Sequence, residues 1–350
     1  MTAVTTLVAA ARPEQDASLR PIPWRRMLWV TWRQHRSALT GVGALLGALA
    51  VCFFIAGLQL HHAYAAAVSC HPASSFACGD LVSRFNGMYG FLANGFLPQV
   101  VPVLIGTFVG APVLARELET GTYRFAWTQG FGRWRWTLSK LAGLALVVAA
   151  AAGAISILLS WYYQPYFNSG NQFLALSEWT PLGPPLFDLR GVSFAAWTLA
   201  AFAIGCLAGV LIRRVVPAIA ATLAAYAGLA LAAGGFLRQH YLTPLVTSKA
   251  SLSGSAWIIG QHWTKGGRPV SQFVIDQVLF RAPAPVAGKG GIPKSFNTVH
   301  YLAQRGYTQW TTYQPASRFW PFQWIEGGWL LALSVLLVAV TVWIVRRRAV

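Results

Sequence analysis

Charged side chains are scarce in this chain of 350 residues: aspartate, glutamate, lysine and arginine together make up 10% of it. An average soluble domain contains about 25% of these residues. So few charges cannot cover the surface of a water-soluble protein of this length, which excludes both a soluble globular protein and a disordered one. Because 55% of the residues are hydrophobic and the mean hydropathy is +0.50, the composition indicates an integral membrane protein.

Acidic residues are the rarest of the charged groups, nine against 27 lysines and arginines, and the formal net charge at pH 7 is +18. Such an excess often indicates a protein that binds nucleic acid. Here the basic residues occur in short blocks between long apolar runs, a pattern typical of membrane orientation and of contact with anionic lipids. We therefore expect the lipid bilayer as a partner and no nucleic acid.

Motifs for nucleotide binding and for common catalytic chemistry are also absent. The chain has no GxxxxGK[ST] sequence, and its Gly288-Lys289 pair is followed by another glycine. GxSxG, HExxH, EF-hand and CxxC sequences do not occur, and nine acids leave few paired carboxylates for hydrolysis. The sequence therefore predicts a protein that is not an enzyme, with no catalytic residue and no cofactor on this chain.

Six apolar runs are long enough to cross the roughly 30 Å hydrocarbon core of a bilayer as helices. They cover residues 38–60, 91–115, 137–162, 192–212, 215–236 and 325–345. The second run contains Pro98, Pro102 and Pro112, so a kink or a broken start is expected there. The predicted fold class is an all-α integral membrane protein with six transmembrane helices.

The distribution of basic residues predicts the orientation of these helices. Arginine and lysine concentrate before the first run, after the second, between the fourth and fifth, and after the sixth. The two short loops on the opposite side contain only Arg84 and Arg190. A multi-pass protein of a bacterial cytoplasmic membrane with both termini cytoplasmic is therefore expected. Residues 1–21 would be a disordered cytoplasmic tail, and 322–350 the sixth helix with a basic cytoplasmic tail.

Residues 22–37 precede the first run and combine basic with aromatic side chains. At 100° per residue, Arg25, Arg26, Arg33 and Arg36 share one arc of a helix, and mainly apolar residues occupy another. This pattern predicts an interfacial amphipathic helix on the inner leaflet, with its arginines toward lipid phosphates. Two roles stay open: a simple membrane anchor, or an elbow that also contacts a cytoplasmic partner.

The longest segment between apolar runs is 237–321, a large outer segment between the fifth and sixth helices. It mixes polar and aromatic residues, and its size favours an ordered extracytoplasmic cap over a random loop. Within it, residues 271–280 are expected to form a short helix or a strand.

Cys70 and Cys78 lie together in the first outer loop, which faces an oxidising compartment in this orientation. A local disulfide bond between them is expected. The alternative is a copper or zinc site built from these cysteines, the neighbouring histidines and Asp80. That spacing matches no established metal-binding pattern, so no metal is assigned.

Acids near membrane depth are candidates for function because they are costly to place there. Glu326 begins the sixth run and is expected either to pair with nearby Arg318 or to line a transport pathway. Asp188 and Arg190, just before the fourth run, are expected to form a similar local pair.

Small residues recur at helical spacing in several of the runs. The GxxxG patterns are Gly43/Gly47, Gly106/Gly110 and Gly205/Gly209. In membrane helices this spacing is compatible with close helix packing or a dimer face.

Two acids follow the second run directly, in the segment 115–136. Glu117 and Glu119 lead into Gly121-Thr122, a helix stop, after which a basic, tryptophan-rich stretch enters the third run. We interpret this as a short acidic helix, a turn and an amphipathic re-entry segment. On its own, the pattern also fits a solvated loop with a basic stop signal.

This loop resembles the one between the second and third helices in the permease subunits of ABC-2-type transporters, particularly the actinobacterial export permeases. The matching positions are Glu117, Glu119, Gly121, Thr122, Arg124, Arg133, Trp136 and Lys140. The resemblance continues at Arg213-Arg214 with the residues that follow, at 313–321 and at 346–348. The outer segment 237–321 departs from it, because that family usually has only a short re-entrant piece there.

The resemblance implies that the segment 116–124 is a coupling helix seated in a groove of a separate ABC ATPase subunit. Its candidate coupling residues are Arg116, Glu117, Glu119, Gly121, Thr122 and Arg124. A second permease copy or a paralogue would complete the membrane part, with ATP and magnesium bound by the ATPase. The implied function is export of hydrophobic or amphiphilic compounds. The alternative is a membrane scaffold or sensor with a ligand-binding outer domain and no transport activity.

Overall fold

The computed structural model describes residues 24–72, 75–88, 96–122, 133–173, 180–184, 186–248, 256–282 and 298–347. The expected tail at 1–21 and the candidate coupling residue Arg124 lie outside these ranges. The backbone of Arg25 and Arg26 is described as helical, but their side chains are not.

Six helical spans are long and apolar enough to cross a membrane, which confirms the sequence prediction. Their bounds are Leu39–Ser69, Phe96–Thr120, Trp134–Asn168, Gly191–Ile212, Val215–His240 and Ala316–Arg347. We call them the first to sixth spans. Most extend beyond the apolar runs because a helix continues through polar residues until a backbone signal ends it.

The first helix is continuous from Trp24 to Ser69, 46 residues in all. At 1.5 Å per residue it is about 69 Å long, far more than the hydrocarbon core of a bilayer. The separate interfacial helix expected at 22–37 is therefore corrected for its described part: residues 24–37 extend the first span without a break. The physical reason is that neither proline nor glycine interrupts the chain between Trp24 and Thr40.

The second span is irregular, as its prolines predicted. It consists of an α-helix Phe96–Leu104, a π-helical segment Ile105–Gly110 and an α-helix Ala111–Thr120. Pro102 has no N–H to donate to the preceding turn, and a π-helical insertion next to such a site is a common way to rearrange the backbone bonds. The irregular segment places two glycines against the fourth span.

The remaining spans are longer and simpler helices. The third lies within the helix Arg133–Phe173, and the fourth is Gly191–Ile212. A two-residue turn containing Arg213, whose φ is 59°, leads directly to the fifth helix Val215–Ala232. The fifth span ends in a π-helical segment and a 3₁₀ turn, Arg238–His240. The sixth lies in the helix Phe319–Arg347, after the 3₁₀ turn Ala316–Arg318.

The fourth span is the centre of the bundle, where it packs on the second, third, fifth and sixth spans, while the first packs mainly on the third. In the most apolar windows of the second and fourth spans, 61% of the residues are buried, against 11% in the first and the fifth. Close glycine contacts support this arrangement. A Cβ added at Gly110 or Gly209 would lie 2.6 Å or 2.5 Å from a backbone oxygen of the facing helix.

The segment between the fifth and sixth spans contains a small antiparallel sheet, which the all-α prediction did not include. Its strands are β1 (Leu245–Thr247), β2 (Trp257–Lys265), β3 (Arg268–Val270) and β4 (Tyr307–Gln314), in the order β1-β4-β2-β3. The helix Gln272–Phe280 packs on the sheet through Ile275, which agrees with a short helix at 271–280. A second short helix is Thr298–Ala303.

Cys70 and Cys78 are joined by a disulfide, with their Cα atoms 5.6 Å apart. The bond ties the end of the first helix to the short helix Phe76–Gly87. This loop and the sheet share one end of the bundle, which we call the sheet end. The opposite end, with Arg213 and the acids of the second span, we call the basic end.

Candidate functional site

Glu117 and Glu119 lie in the last turn of the second span rather than in a separate acidic helix. The helix Ala111–Thr120 simply continues to them, because no helix-breaking residue follows Pro112 before Gly121. Gly121 ends it with a φ of 73°, a left-handed conformation that glycine adopts without strain. Thr120 closes the end by donating from Oγ1 to the carbonyl of Arg116 at 2.8 Å.

Glu117 forms an ion pair with Lys140 at the start of the third span. Lys140 Nζ donates to Glu117 Oε1 at 2.6 Å and to the carbonyl of Val113 at 3.2 Å. The Lys140 side chain is fully buried, and 20% of the Glu117 side chain is exposed. A buried ammonium needs such partners because it has lost its water. The pair therefore fixes the second span to the third.

Glu119 connects the second span to the fifth. Its Oε2 accepts a hydrogen bond from the backbone N–H of Val215 at 3.0 Å. Val215 is the first residue of the fifth helix, where unpaired N–H groups and the helix dipole favour a carboxylate. Glu119 is otherwise exposed, so it can also face a partner.

A cleft of about 960 Å³ opens beside these contacts, between the first, second and fifth spans. Its lining includes His35 and four of the residues selected from the sequence, Arg116, Glu117, Glu119 and Thr122. Arg116 is exposed. Most of the described candidate coupling residues therefore lie on one surface, the lining of this cleft at the basic end.

His35 was not selected from the sequence. Its Nε2 is buried and has no hydrogen-bond partner among the described residues. Burial lowers the pKa of His35, and the positive charges of Lys140 and Arg116 act in the same direction, so that the pKa is about 4. The imidazole is therefore neutral at physiological pH. Only the fold brings these two cations close to it.

Glu326 lies at the sheet end, fully buried, and its expected neighbour Arg318 is not its partner. It accepts hydrogen bonds from Arg238 Nε and Nη2 at 3.0 and 2.8 Å and from Trp197 Nε1 at 2.8 Å. Tyr241 donates a further one at 3.1 Å. Arg318 instead donates to the carbonyl of Thr243 at 2.7 Å. This corrects the expected Arg318 pair.

Asp188 also pairs with Arg238, through Nη2 of the guanidinium, and not with Arg190. The guanidinium of Arg190 lies over the rings of Phe167 and Phe319, 4.2 and 5.0 Å from their centroids. The expected local pair is therefore wrong. The sequence analysis placed Arg238 in the outer segment 237–321. The one feature that could have drawn attention to it is its position as a basic residue just after the apolar run 215–236.

The candidate membrane-surface residues are placed only in part. Arg33 and Arg36 are exposed on the first helix, and Arg33 lies 5.5 Å from the ring centroid of Trp29. In the described part of the chain, no group of three or more metal-ligating side chains comes together.

The six spans define a multi-pass membrane protein. A model of the family described as "ABC-2 membrane transporter related" matches residues 43–238, more than half of the chain. The protein therefore belongs to that family, as the resemblance of the loop after its second span predicted. Searches of curated proteins and of solved structures find no match.

The family match covers most of the first span and all of the next four up to Arg238. It includes the acids of the second span, their partners Lys140 and Val215, and Asp188. The sheet and the sixth span, with Glu326, lie beyond it.

Proposed function

We propose that this protein is the membrane-spanning permease subunit of an ATP-binding-cassette exporter driven by a separate ATPase. The supporting observation is the double connection of the acidic turn at the basic end. Glu117 bonds the third span through Lys140 at 2.6 Å, and Glu119 bonds the fifth span at 3.0 Å. A force applied at this turn would move three spans together.

In this mechanism the ATPase binds the segment 116–124 and changes its position as ATP binds and is hydrolysed. Coupling requires that the ATPase have different affinities for two arrangements of the spans. Buried ion pairs and close helix contacts favour discrete arrangements over gradual deformation. ATP and magnesium would be bound by the ATPase subunit.

The residues available to that partner differ in their exposure. Arg116 and Glu119 are exposed, whereas Glu117 is partly buried against Lys140. We infer that Arg116 and Glu119 provide the charge complementarity for the ATPase, while Glu117 holds the turn in place. Thr122 borders the same cleft.

The first and fifth spans present most of their apolar surface outward, with 11% of their most apolar windows buried. These surfaces suit lipid and a second permease copy or a paralogue, because a transport path between two such subunits needs helices that face across it. The excess of basic residues at the basic end supports a cytoplasmic position for it in a bacterial cytoplasmic membrane. Export of hydrophobic or amphiphilic compounds fits such a path.

The test is copurification of the tagged protein from mild detergent with any soluble chain that carries a GxxxxGK[ST] motif, followed by ATPase assays on the complex. We expect a stoichiometric ATPase partner. The variants R116E and E119Q should each reduce its binding by about tenfold, because R116E reverses and E119Q removes an exposed charge of the contact surface. Glutamine at 119 keeps an oxygen that can accept from Val215.

The matched control is D276N, which removes an exposed acid at the sheet end, where Gln272 donates to Asp276 at 2.9 Å. Copurification should be unchanged in this variant. If intact, folded protein never brings down an ATPase, the permease proposal fails and the scaffold or sensor alternative takes its place. If R116E and E119Q bind as well as the wild type, the coupling surface lies elsewhere.

A further inference from the structure

A second cavity, of about 670 Å³, lies at the sheet end between the second, fourth and fifth spans. This size is within the range of small-molecule sites. Most of the described residues that line it are apolar, and aromatic rings among them include Trp197 and Tyr226. Asp188 is the single charged side chain in the described lining.

The charges around this cavity do not balance. Arg238 is the one cation that contacts both Glu326 and Asp188 among the described residues. Glu326 is fully buried and takes two hydrogen bonds from Arg238, one from Trp197 and one from Tyr241. Asp188 shares the same guanidinium and keeps 24% of its side chain exposed. Within this group of three charged side chains one negative charge is therefore left over, and Asp188 presents it to the cavity.

The rings of the cavity favour a positive ligand for an independent reason. The rings of Trp197 and Tyr226 meet edge to face, with centroids 5.6 Å apart. Aromatic faces carry negative electrostatic potential and attract organic cations, most strongly where water is excluded. An apolar cavity with aromatic faces and one unbalanced carboxylate matches the chemistry of a hydrophobic cation.

We propose that this cavity binds a hydrophobic organic monocation, with Asp188 as its counter-charge and Trp197 and Tyr226 as its ring contacts. The proposal rests on the proposed function to the extent that it names the class of compound transported. Binding itself requires no ATPase and no second copy. The two proposals can therefore fail separately.

A proton is the competing ligand for Asp188. Burial raises the pKa of Asp188, Arg238 opposes this rise and the carboxylate of Glu326 adds to it, and together these effects bring the pKa to about 7. The other titratable groups near it are Tyr226 and Tyr241; burial raises the pKa of the Tyr241 hydroxyl, and the carboxylate of Glu326 adds to this rise, so Tyr241 does not titrate near neutral pH. As the pH falls through this value Asp188 is progressively protonated and its negative charge is lost, so binding of a cation should weaken.

The experiment measures binding of tetraphenylphosphonium to the full-length purified protein in neutral detergent by equilibrium dialysis, with tetraphenylborate as an anion of the same shape. We expect saturable binding of the cation at one site per chain and no saturable binding of the anion. The variant D188N should weaken cation binding by about tenfold, as expected for loss of one partly buried charge partner. Lowering the pH from 8 to 6 should weaken binding to wild type but not to D188N.

A second variant tests the cavity without touching its charges. Gly234 lines the cavity, and a Cβ built there meets no atom within 4 Å, so G234L should fill the space and abolish binding. G228L is the matched control, because Gly228 lies on the same span, also faces open space and does not line the cavity. It should bind like the wild type.

Three results would overturn the proposal. Equal binding of the cation and the anion would mean apolar partition, and wild-type affinity in D188N would remove Asp188 from the site. If the stability of the protein depends on pH but no cation binds, the ligand of Asp188 is a proton and not an organic cation. Cation binding by a protein that recruits no ATPase would refute the proposed function and leave this site standing.

Discussion

Lys140 has a fully buried ammonium group whose described side-chain partner is Glu117, so removing that partner should be costly. Breaking a buried pair by removing one partner leaves an uncompensated charge, which typically lowers stability by about 3–5 kcal/mol. We expect E117Q to lose about 3 kcal/mol of unfolding free energy, since Glu117 keeps some contact with solvent. Equilibrium unfolding of E117Q and the wild type in mixed micelles measures this difference in unfolding free energy.

The double variant E117Q/K140M supplies the control, because methionine removes the buried charge and keeps most of the side-chain volume. It should be more stable than E117Q alone. E119Q should change stability by less than about 1 kcal/mol, as expected for an exposed acid. If the loss of unfolding free energy in E117Q/K140M equals the sum of the losses in E117Q and K140M, the two residues do not interact.

The sequence singled out Glu117 and Glu119 but did not predict their contacts. Glu117 and Glu119 stood out because acids are rare in this chain. Their partners are a buried lysine and a backbone N–H, 23 and 96 residues away. No pattern in the local sequence indicates which helix faces an acid, since that depends on how the helices are rotated in the bundle.

At the scale of elements, the contact between the second and fourth spans depends on glycines. A Cβ at Gly205 would lie 2.7 Å from the backbone nitrogen of Ala111. We expect G205A to lower the unfolding free energy by about 1–3 kcal/mol, the usual effect of overpacking. Unfolding in micelles measures this difference as well.

The comparison for that variant is G153A in the third span, where an added Cβ meets no atom within 4 Å. Alanine has a higher helix propensity than glycine, by about 1 kcal/mol, so this variant should be neutral or slightly stabilised. Equal destabilisation by both changes would show that backbone effects, and not helix contact, decide the outcome.

The GxxxG patterns illustrate what a spacing indicates. Gly106/Gly110 and Gly205/Gly209 pack against each other across the second and fourth spans, whereas a Cβ added at Gly43 or Gly47 would meet no atom within 4 Å. All three pairs have the same spacing in apolar helices. Only the packing of the bundle separates them, because close contact requires small residues on both facing helices.

At the scale of the whole molecule, the proposed orientation places the sheet end outside the cell and the basic end in the cytoplasm. Thr308 on β4 and Arg214 in the turn before the fifth helix are both exposed and lie at opposite ends. We expect a membrane-impermeant maleimide to label T308C in intact cells and R214C only after permeabilisation.

This labelling requires a background in which Cys52 and Cys206, the free cysteines of the described chain, are replaced by serine and alanine. Cys70 and Cys78 stay, because their sulfurs are bonded to each other. Labelling of R214C in intact cells would reverse the orientation. It would also remove the acids of the second span from contact with a cytoplasmic ATPase.

The sequence by itself determined the class of the protein and the number of its spans. Hydropathy and length are local properties, and a bilayer permits only structures whose backbone groups are paired within the protein. Glycine at 121 and proline at 102 likewise marked a helix end and an irregular helix, because their effects on the backbone act within a turn or two.

Only the tertiary structure decided which charges meet. Arg238 contacts Glu326, 88 residues away, and Asp188, 50 residues away, while the nearer Arg190 and Arg318 have other contacts. The sequence did not predict the order of the strands either, in which β4 lies between β1 and β2. A buried charge without a partner costs much free energy. Such charges therefore pair with a group that the packed helices bring within reach, however far away that group is in the sequence.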